Sequence, residues 1–336
     1  MRQRQSWGLT SLQNTPLESL TNLSYHRVMH DVLSIGSALI DIFIQSDQFE
    51  LRSEHDHVLL CQDYGNKVDV DSFYVLTGGG GGNTAVGFAR AGFNAAILCE
   101  TGKDSLAQVI LQDFHKETVS TNYVIQEKKE QTGGSVILVG QDGGRSVLVH
   151  RGAASQLDPE DVPQDAVARV GWVHLSSISG RLPTLQTIAA ARHQARHLSW
   201  NPGSQELEMI RTQQILPADL GCELFILNKE EWEQLHDVVP QIESQAPTIV
   251  VTDGSHGGRV FTQGSGWMPY TAEVEKAVDE TGAGDAFVVG FVSARLRNET
   301  LETACLWGKQ NAAAVVQHFG GKAGLLRQDD FLKEQV

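Results

Sequence analysis

Short runs of consecutive apolar residues recur along this chain, and most are followed by a stretch with helical spacing. Residues 31–36, 95–99, 122–126, 172–176, 197–200, 223–227 and 248–251 read as strands buried on both faces. Helical patterns lie between them at 84–91, 104–116, 183–196, 229–236 and 301–318. In the third of these helical stretches Leu185, Ile188, Ala189 and Arg192 share a face; in the last, Leu301, Ala304, Cys305, Ala312 and Val315 do. Such alternation predicts a three-layer α/β/α domain around a mostly parallel central sheet.

Two regions break the pattern. Residues 42–51 are polar, and over 67–76 the apolar Val68, Val70, Tyr74 and Leu76 alternate with Lys67, Asp69 and Asp71, as in strands with one wet face. Residues 134–140 and 145–150 flank Gln141-Asp142-Gly143-Gly144, a hairpin signal. Together they predict a small separate β-sheet, a lid formed by about 42–77 and 133–151 and inserted into the main domain. Its free edges suit pairing with a second copy, so a homodimer through the lid is expected. Residues 1–28 are polar, lack the apolar centre of a secretory signal, and read as a loosely ordered extension ahead of a domain spanning 29–330.

Composition narrows the function. The formal charge is −15, a field that repels nucleic acid and anionic membranes. No apolar run is long enough to span a bilayer. Cys61, Cys99, Cys222 and Cys305 are scattered, which fits a reducing compartment and neither a disulfide set nor a zinc site. The cytoplasm is the expected location.

Two glycine-rich stretches are candidate chemistry. Gly78–Gly82 with Asn83 lacks the Gly-Lys-Ser/Thr ending of a P-loop and the last glycine of a dinucleotide fingerprint. It reads as a backbone-lined floor and hinge, with Asn83 aimed at a ligand. Around Gly282-Ala283-Gly284-Asp285 an extended segment turns into a helix, Phe287 and Phe291 lying on its apolar side. The first backbone N–H groups of a helix lack internal partners and favour anions. Asp285 is then either a helix-start acid or a base beside an anion cradle. Asp41, Asn201, Asn228, Thr252 and Asp279 all follow the carboxyl ends of expected strands, the edge where open parallel sheets bind ligands.

The string Asp279-Glu280-Thr281-Gly282-Ala283-Gly284-Asp285-Ala286-Phe287 resembles the hallmark of the ribokinase-like (PfkB) family of carbohydrate and nucleoside kinases. Other stretches resemble that family in its order. They are the loop 78–83, Asn228-Lys229-Glu230-Glu231, the loop 251–257, Asn311 with three alanines after it, and Phe319-Gly320-Gly321. The resemblance implies an ATP-dependent phosphotransferase acting with Mg²⁺ and K⁺. It makes Asp285 the base on the substrate hydroxyl and Gly282, Ala283 and Gly284 the anion hole. Asp41, Gly79 and Asn83 would hold the substrate. Asn228 and Glu231 would position the Mg²⁺–phosphate unit through water, while Thr252, Gly254, Gly257 and Asn311 would line the nucleotide. Asp279 and the Thr281 carbonyl would bind the monovalent cation. An aspartate at a helix start is expected to have a low pKa.

Two positions depart from the family pattern. Ser176 stands where a typical ribokinase has a sugar-binding Glu, and Leu326 replaces a hydroxyl residue able to complete the cation shell. Arg151 is either a lid ion-pair partner or an anchor for an acidic substrate group. The expected substrate is therefore a furanose sugar or nucleoside phosphorylated on its primary hydroxyl. The alternatives are a sugar-acid (2-keto-3-deoxygluconate-type) or phosphosugar kinase, and a catalytically silent binding regulator.

Overall fold

The computed structural model describes residues 30–333 apart from 56, 128, 193–196 and 273–276. The expected extension 1–28 and the approach to the second glycine turn at 275–276 lie outside the described residues. The chain opens with β1 (Val32–Ile35), β2 (Leu39–Gln45), β3 (Glu50–Glu54), β4 (His57–Cys61) and β5 (Ser72–Gly78). Then come α1 (Gly80–Arg90), β6 (Ala95–Gly102), α2 (Ser105–Lys116), β7 (Ser120–Glu127), and the hairpin β8 (Gly134–Val139) and β9 (Arg145–His150). The middle carries α3 (Gln164–Arg169), β10 (Trp172–Leu175), α4 (Leu182–Ala191), β11 (His197–Trp200) and α5 (Ser204–Arg211). After these follow β12 (Leu224–Asn228), α6 (Lys229–Gln234), α7 (Val239–Gln245), and β13 (Thr248–Thr252), β14 (Gly258–Thr262) and β15 (Gly266–Tyr270). The chain closes with α8 (Ala283–Leu296), α9 (Leu301–Val315) and α10 (Gln328–Leu332).

The main sheet has nine strands in the order β15-β14-β13-β12-β11-β10-β1-β6-β7. It is parallel from β13 to β7, with β14 and β15 added antiparallel at one edge. Because side chains alternate along a strand, one run feeds two cores. Leu224, Ile226 and Val250 pack with Val288 and Phe291 of α8 and Trp307 of α9. Phe225, Leu227, Ile249 and Val251 point the other way, into a core shared with Leu185 of α4, Ile210 of α5 and Trp232 of α6. Each such buried side chain contributes about 1.5–3 kcal/mol, which explains why both faces must be apolar. This is the expected three-layer arrangement, and no helix among the described residues is long and apolar enough to cross a membrane.

The lid is a separate four-stranded sheet in the order β5-β2-β8-β9. Its strands differ from the expected ones: β2 begins at Leu39, β5 begins at Ser72, and 67–71 is not strand. The polar stretch after β2 holds an additional two-stranded hairpin, β3–β4, which the sequence pattern does not announce. Phe43, Ile137 and Val139 make a small core of their own with Leu76 and Phe319. Val147, Leu148 and Val149 on the edge strand β9 are each more than half exposed, so this edge of the lid is open among the described residues.

Candidate active site

The second glycine turn opens into a helix as the sequence predicts, although residues 277–280 ahead of it are not strand. Gly282 caps α8 with φ 77°, a left-handed conformation that a larger residue would strain, and a Cβ there would lie 2.4 Å from Gly321 Cα. Of the three residues expected to form the anion hole, Ala283 turns its N–H back to the Glu280 carbonyl at 3.2 Å. The amides of Gly284 and Asp285 have no partner among the described residues, and the space in front of Gly284 is open. They are the donors at this helix start that remain for an anion.

The first glycine run folds differently from expectation. Helix α1 starts at Gly80, not at Thr84, so Gly80–Gly82 form its first turn. Gly79 is the N-cap at φ 88°, where a Cβ would meet the Ser37 carbonyl at 2.6 Å. Starting the helix early puts Asn83 inside it, buried, with Nδ2 donating to Asp285 Oδ2 at 2.8 Å. Asn83 Oδ1 is buried without a partner. Two stretches far apart in sequence thus meet on one carboxylate.

Asp285 itself contradicts the low pKa expected at a helix start. Burial raises it to about 6, against the opposing effect of the Asn83 donor. Desolvation outweighs the dipole because only one side-chain donor compensates it. Asp41 lies inside β2 and not past a strand end; it is buried, and Ser135 of β8 donates to its Oδ1 at 2.5 Å. Burial raises its pKa too, opposed by that bond and by the Lys322 ammonium. Ser176 sits past β10, and a Cβ on Gly80 would lie 3.0 Å from Ser176 Oγ and 3.4 Å from Asp285 Oδ1. The serine and the acid therefore face one small space. Behind Ser176, His174 is fully buried between Ser176 Oγ (3.3 Å) and Ser199 Oγ (2.8 Å), and burial pushes it down to about 3, so it is neutral.

The residues expected to line the nucleotide gather at the carboxyl edge of the sheet, though several are engaged with the protein. Asn228 ends β12 and caps α6: its Oδ1 accepts from Glu231 N (2.8 Å), and Glu231 Oε2 accepts from Asn228 N (2.9 Å). Burial raises the Glu231 pKa, against the effect of that bond. Thr252 ends β13, and Gly254 and Gly257 shape the turn after it with φ of 49° and 91°. Asn311 does not line a surface. It is fully buried, with Nδ2 on the Ala286 carbonyl (2.7 Å) and Oδ1 on Leu326 N (2.8 Å). It clamps α9 to the first turn of α8. Among the described residues no group of three or more His, Cys, Asp or Glu could hold a metal.

Of the expected monovalent-cation pair, the Asp279 carboxylate is engaged by the protein's own charge. Asp279 is fully buried; Oδ1 accepts from Thr281 N (2.8 Å) and Oδ2 from Gly320 N (2.8 Å). Arg145, the first residue of lid strand β9, places Nη1 2.5 Å from Asp279 Oδ1 and 3.1 Å from the Thr281 hydroxyl. These residues do not fit a K⁺ site, because the carboxylate is already neutralised and hydrogen-bonded. The lid ion pair weighed for Arg151 is made instead by Arg145. Arg151 is exposed just after β9, and no acid among the described residues pairs with it. The sequence carries no signal for Ser135 or Arg145, whose partners lie far away in the chain.

A model of the pfkB family of carbohydrate kinases matches residues 29–327. An uncharacterized sugar kinase of Archaeoglobus fulgidus is 27% identical over 255 residues, 73% of this chain and 100% of that protein. The ribokinase of Staphylococcus aureus is 25% identical over 308 residues, 88% of this chain and 96% of its own length. Among solved structures, the adenosine kinase of Sinorhizobium meliloti superposes with a TM-score of 0.75 at 22% identity, covering 92% of this chain and 100% of that one. That likeness speaks to the fold.

Proposed function

The chain belongs to the pfkB family of carbohydrate kinases, and from that membership we propose that it transfers the γ-phosphoryl of MgATP to the primary hydroxyl of a furanose, as free sugar or nucleoside. The observation that carries this reading is the pairing at the start of α8. A carboxylate poised near pKa 6 stands beside two helix-start amides that have no partner among the described residues, with open space in front of Gly284. In the proposed reaction the substrate oxygen bonds to the γ-phosphorus as the bond to the ADP oxygen breaks. The hydroxyl proton passes to Asp285, and charge gathering on the transferring oxygens is met by the Gly284 and Asp285 N–H groups. Asn83 orients the base; Asp41 and Gly79 hold substrate hydroxyls. Thr252, Gly254 and Gly257 would receive the nucleotide, and Asn228 with Glu231 would position its Mg²⁺–phosphate end. The lid would cover the site and keep water from competing for the phosphoryl.

Arg151 supports a second reading. An exposed guanidinium just after β9, with no acidic partner among the described residues, suits a carboxylate or phosphate on the substrate, as in a sugar-acid or phosphosugar kinase. ATP consumption with Mg²⁺ separates the two across ribose, fructose, adenosine, inosine, cytidine, a ketodeoxy sugar acid and fructose phosphates. A strong response to a neutral furanose supports the first reading. A response confined to the acids supports the second. No turnover with any acceptor would leave only a binding role.

A further inference from the structure

A buried carboxylate needs a compensating charge, and in Asp279 that charge comes from across the molecule. Its oxygens accept two backbone N–H groups and the Arg145 guanidinium, which also donates to the Thr281 hydroxyl. Thr281 directly precedes the cap residue Gly282, so the guanidinium braces the turn that presents the Gly284 and Asp285 amides. A metal cation brought here would meet an acid already engaged by the protein and a like charge within contact range. The side chain of Arg145 is about three-quarters buried (23% exposed), while its backbone belongs to the lid hairpin and not to the main domain.

We propose that Arg145 is a positioning residue that serves as the built-in cation of the Asp279–Thr281 loop. The protein then needs no monovalent metal ion, and the helix-start amides are in order when the lid is seated. In its catalytic consequence this rests on the kinase reading; the ion requirement itself does not.

The first test therefore uses no substrate. Thermal unfolding is followed in KCl, NaCl and tetramethylammonium chloride at equal ionic strength, for wild type, Arg145→Ala and Arg145→Lys. Wild type should unfold at the same temperature in all three salts. Arg145→Ala should unfold lower in tetramethylammonium and recover saturably with K⁺; Arg145→Lys should need no K⁺. With the best acceptor found, wild-type kcat should differ by less than about twofold between salts. Arg145→Ala should lose about tenfold or more and regain activity with K⁺. A saturable rise of wild-type Tm or kcat with K⁺ overturns the proposal, and so does an Arg145→Ala protein with wild-type kcat in tetramethylammonium. If Arg145→Ala does not fold, the wild-type titration and Arg145→Lys decide. If no acceptor turns over in any salt, the kinase reading fails while the unfolding data still settle the ion question.

Discussion

Asp279 and Asp285 stand at the two ends of one short turn, and the fold treats them in opposite ways. Asp279 is fully buried and saturated, with two backbone amides and a guanidinium on its oxygens. Asp285 is half-buried and holds a single side-chain donor, Asn83, against a desolvation that lifts its pKa to about 6. A carboxylate surrounded by donors is a good strut. One left short of donors is basic enough to take a proton near neutral pH. The difference separates the group that holds the turn from the group that would act on what the turn binds.

The comparison is broken most sharply at its reactive end. Asp285→Asn keeps the shape and the hydrogen-bond reach to Asn83 but removes the base. We expect kcat to fall roughly 10²–10⁴-fold with KM changed little, read from steady-state rates with the best acceptor. A variant retaining more than a tenth of the wild-type kcat would show that Asp285 is a helix-start acid and no more.

The strut should answer to stability. Asp279→Ala leaves Arg145 and the amides of Thr281 and Gly320 facing a hole where a carboxylate was. Removing one partner of a buried pair costs about 3–5 kcal/mol, to be measured by urea unfolding. A loss below about 1 kcal/mol would mean that water replaces the carboxylate and that its burial is only nominal.

Much of this was legible in the sequence, for reasons particular residues make clear. Strands such as Phe225–Leu227 feed two cores at once, so their apolar runs are unmistakable. The lid strands are not so constrained. Phe73, Tyr74 and Val75 are consecutive and all exposed, so no alternation marks where β5 begins. The start of α1 escapes the sequence because glycine is the poorest helix former after proline, and only packing on the main sheet makes Gly80–Gly82 helical. With the helix start displaced, the Asn83–Asp285 bond, which spans 202 residues of chain, stays hidden. Arg145 reaches Thr281 across 136 residues, with no motif to announce it. The low pKa expected for Asp285 failed because the dipole is visible in a sequence whereas desolvation belongs to the folded surroundings.

The same desolvation makes Asp285 a burden on the fold, and pH exposes it. A carboxyl whose folded pKa is raised from the usual 3.8 to about 6 favours the native state in its protonated form. That contribution is complete below about pH 4 and is lost as pH rises through about 6. A tenfold change in proton affinity corresponds to about 1.4 kcal/mol, and partial exposure of the group reduces the total. Asp285→Asn, which never ionises, should therefore be more stable than wild type by about 1–2 kcal/mol at pH 8, with the gain shrinking toward zero near pH 4. Urea unfolding of both proteins at the two pH values isolates this group, because other titrations are shared and cancel in the difference. Wild-type turnover should fall on the acid side with a midpoint near pH 6, where the base takes up its proton. A stability gain independent of pH would place the benefit in packing and leave Asp285 an ordinary, water-exposed acid.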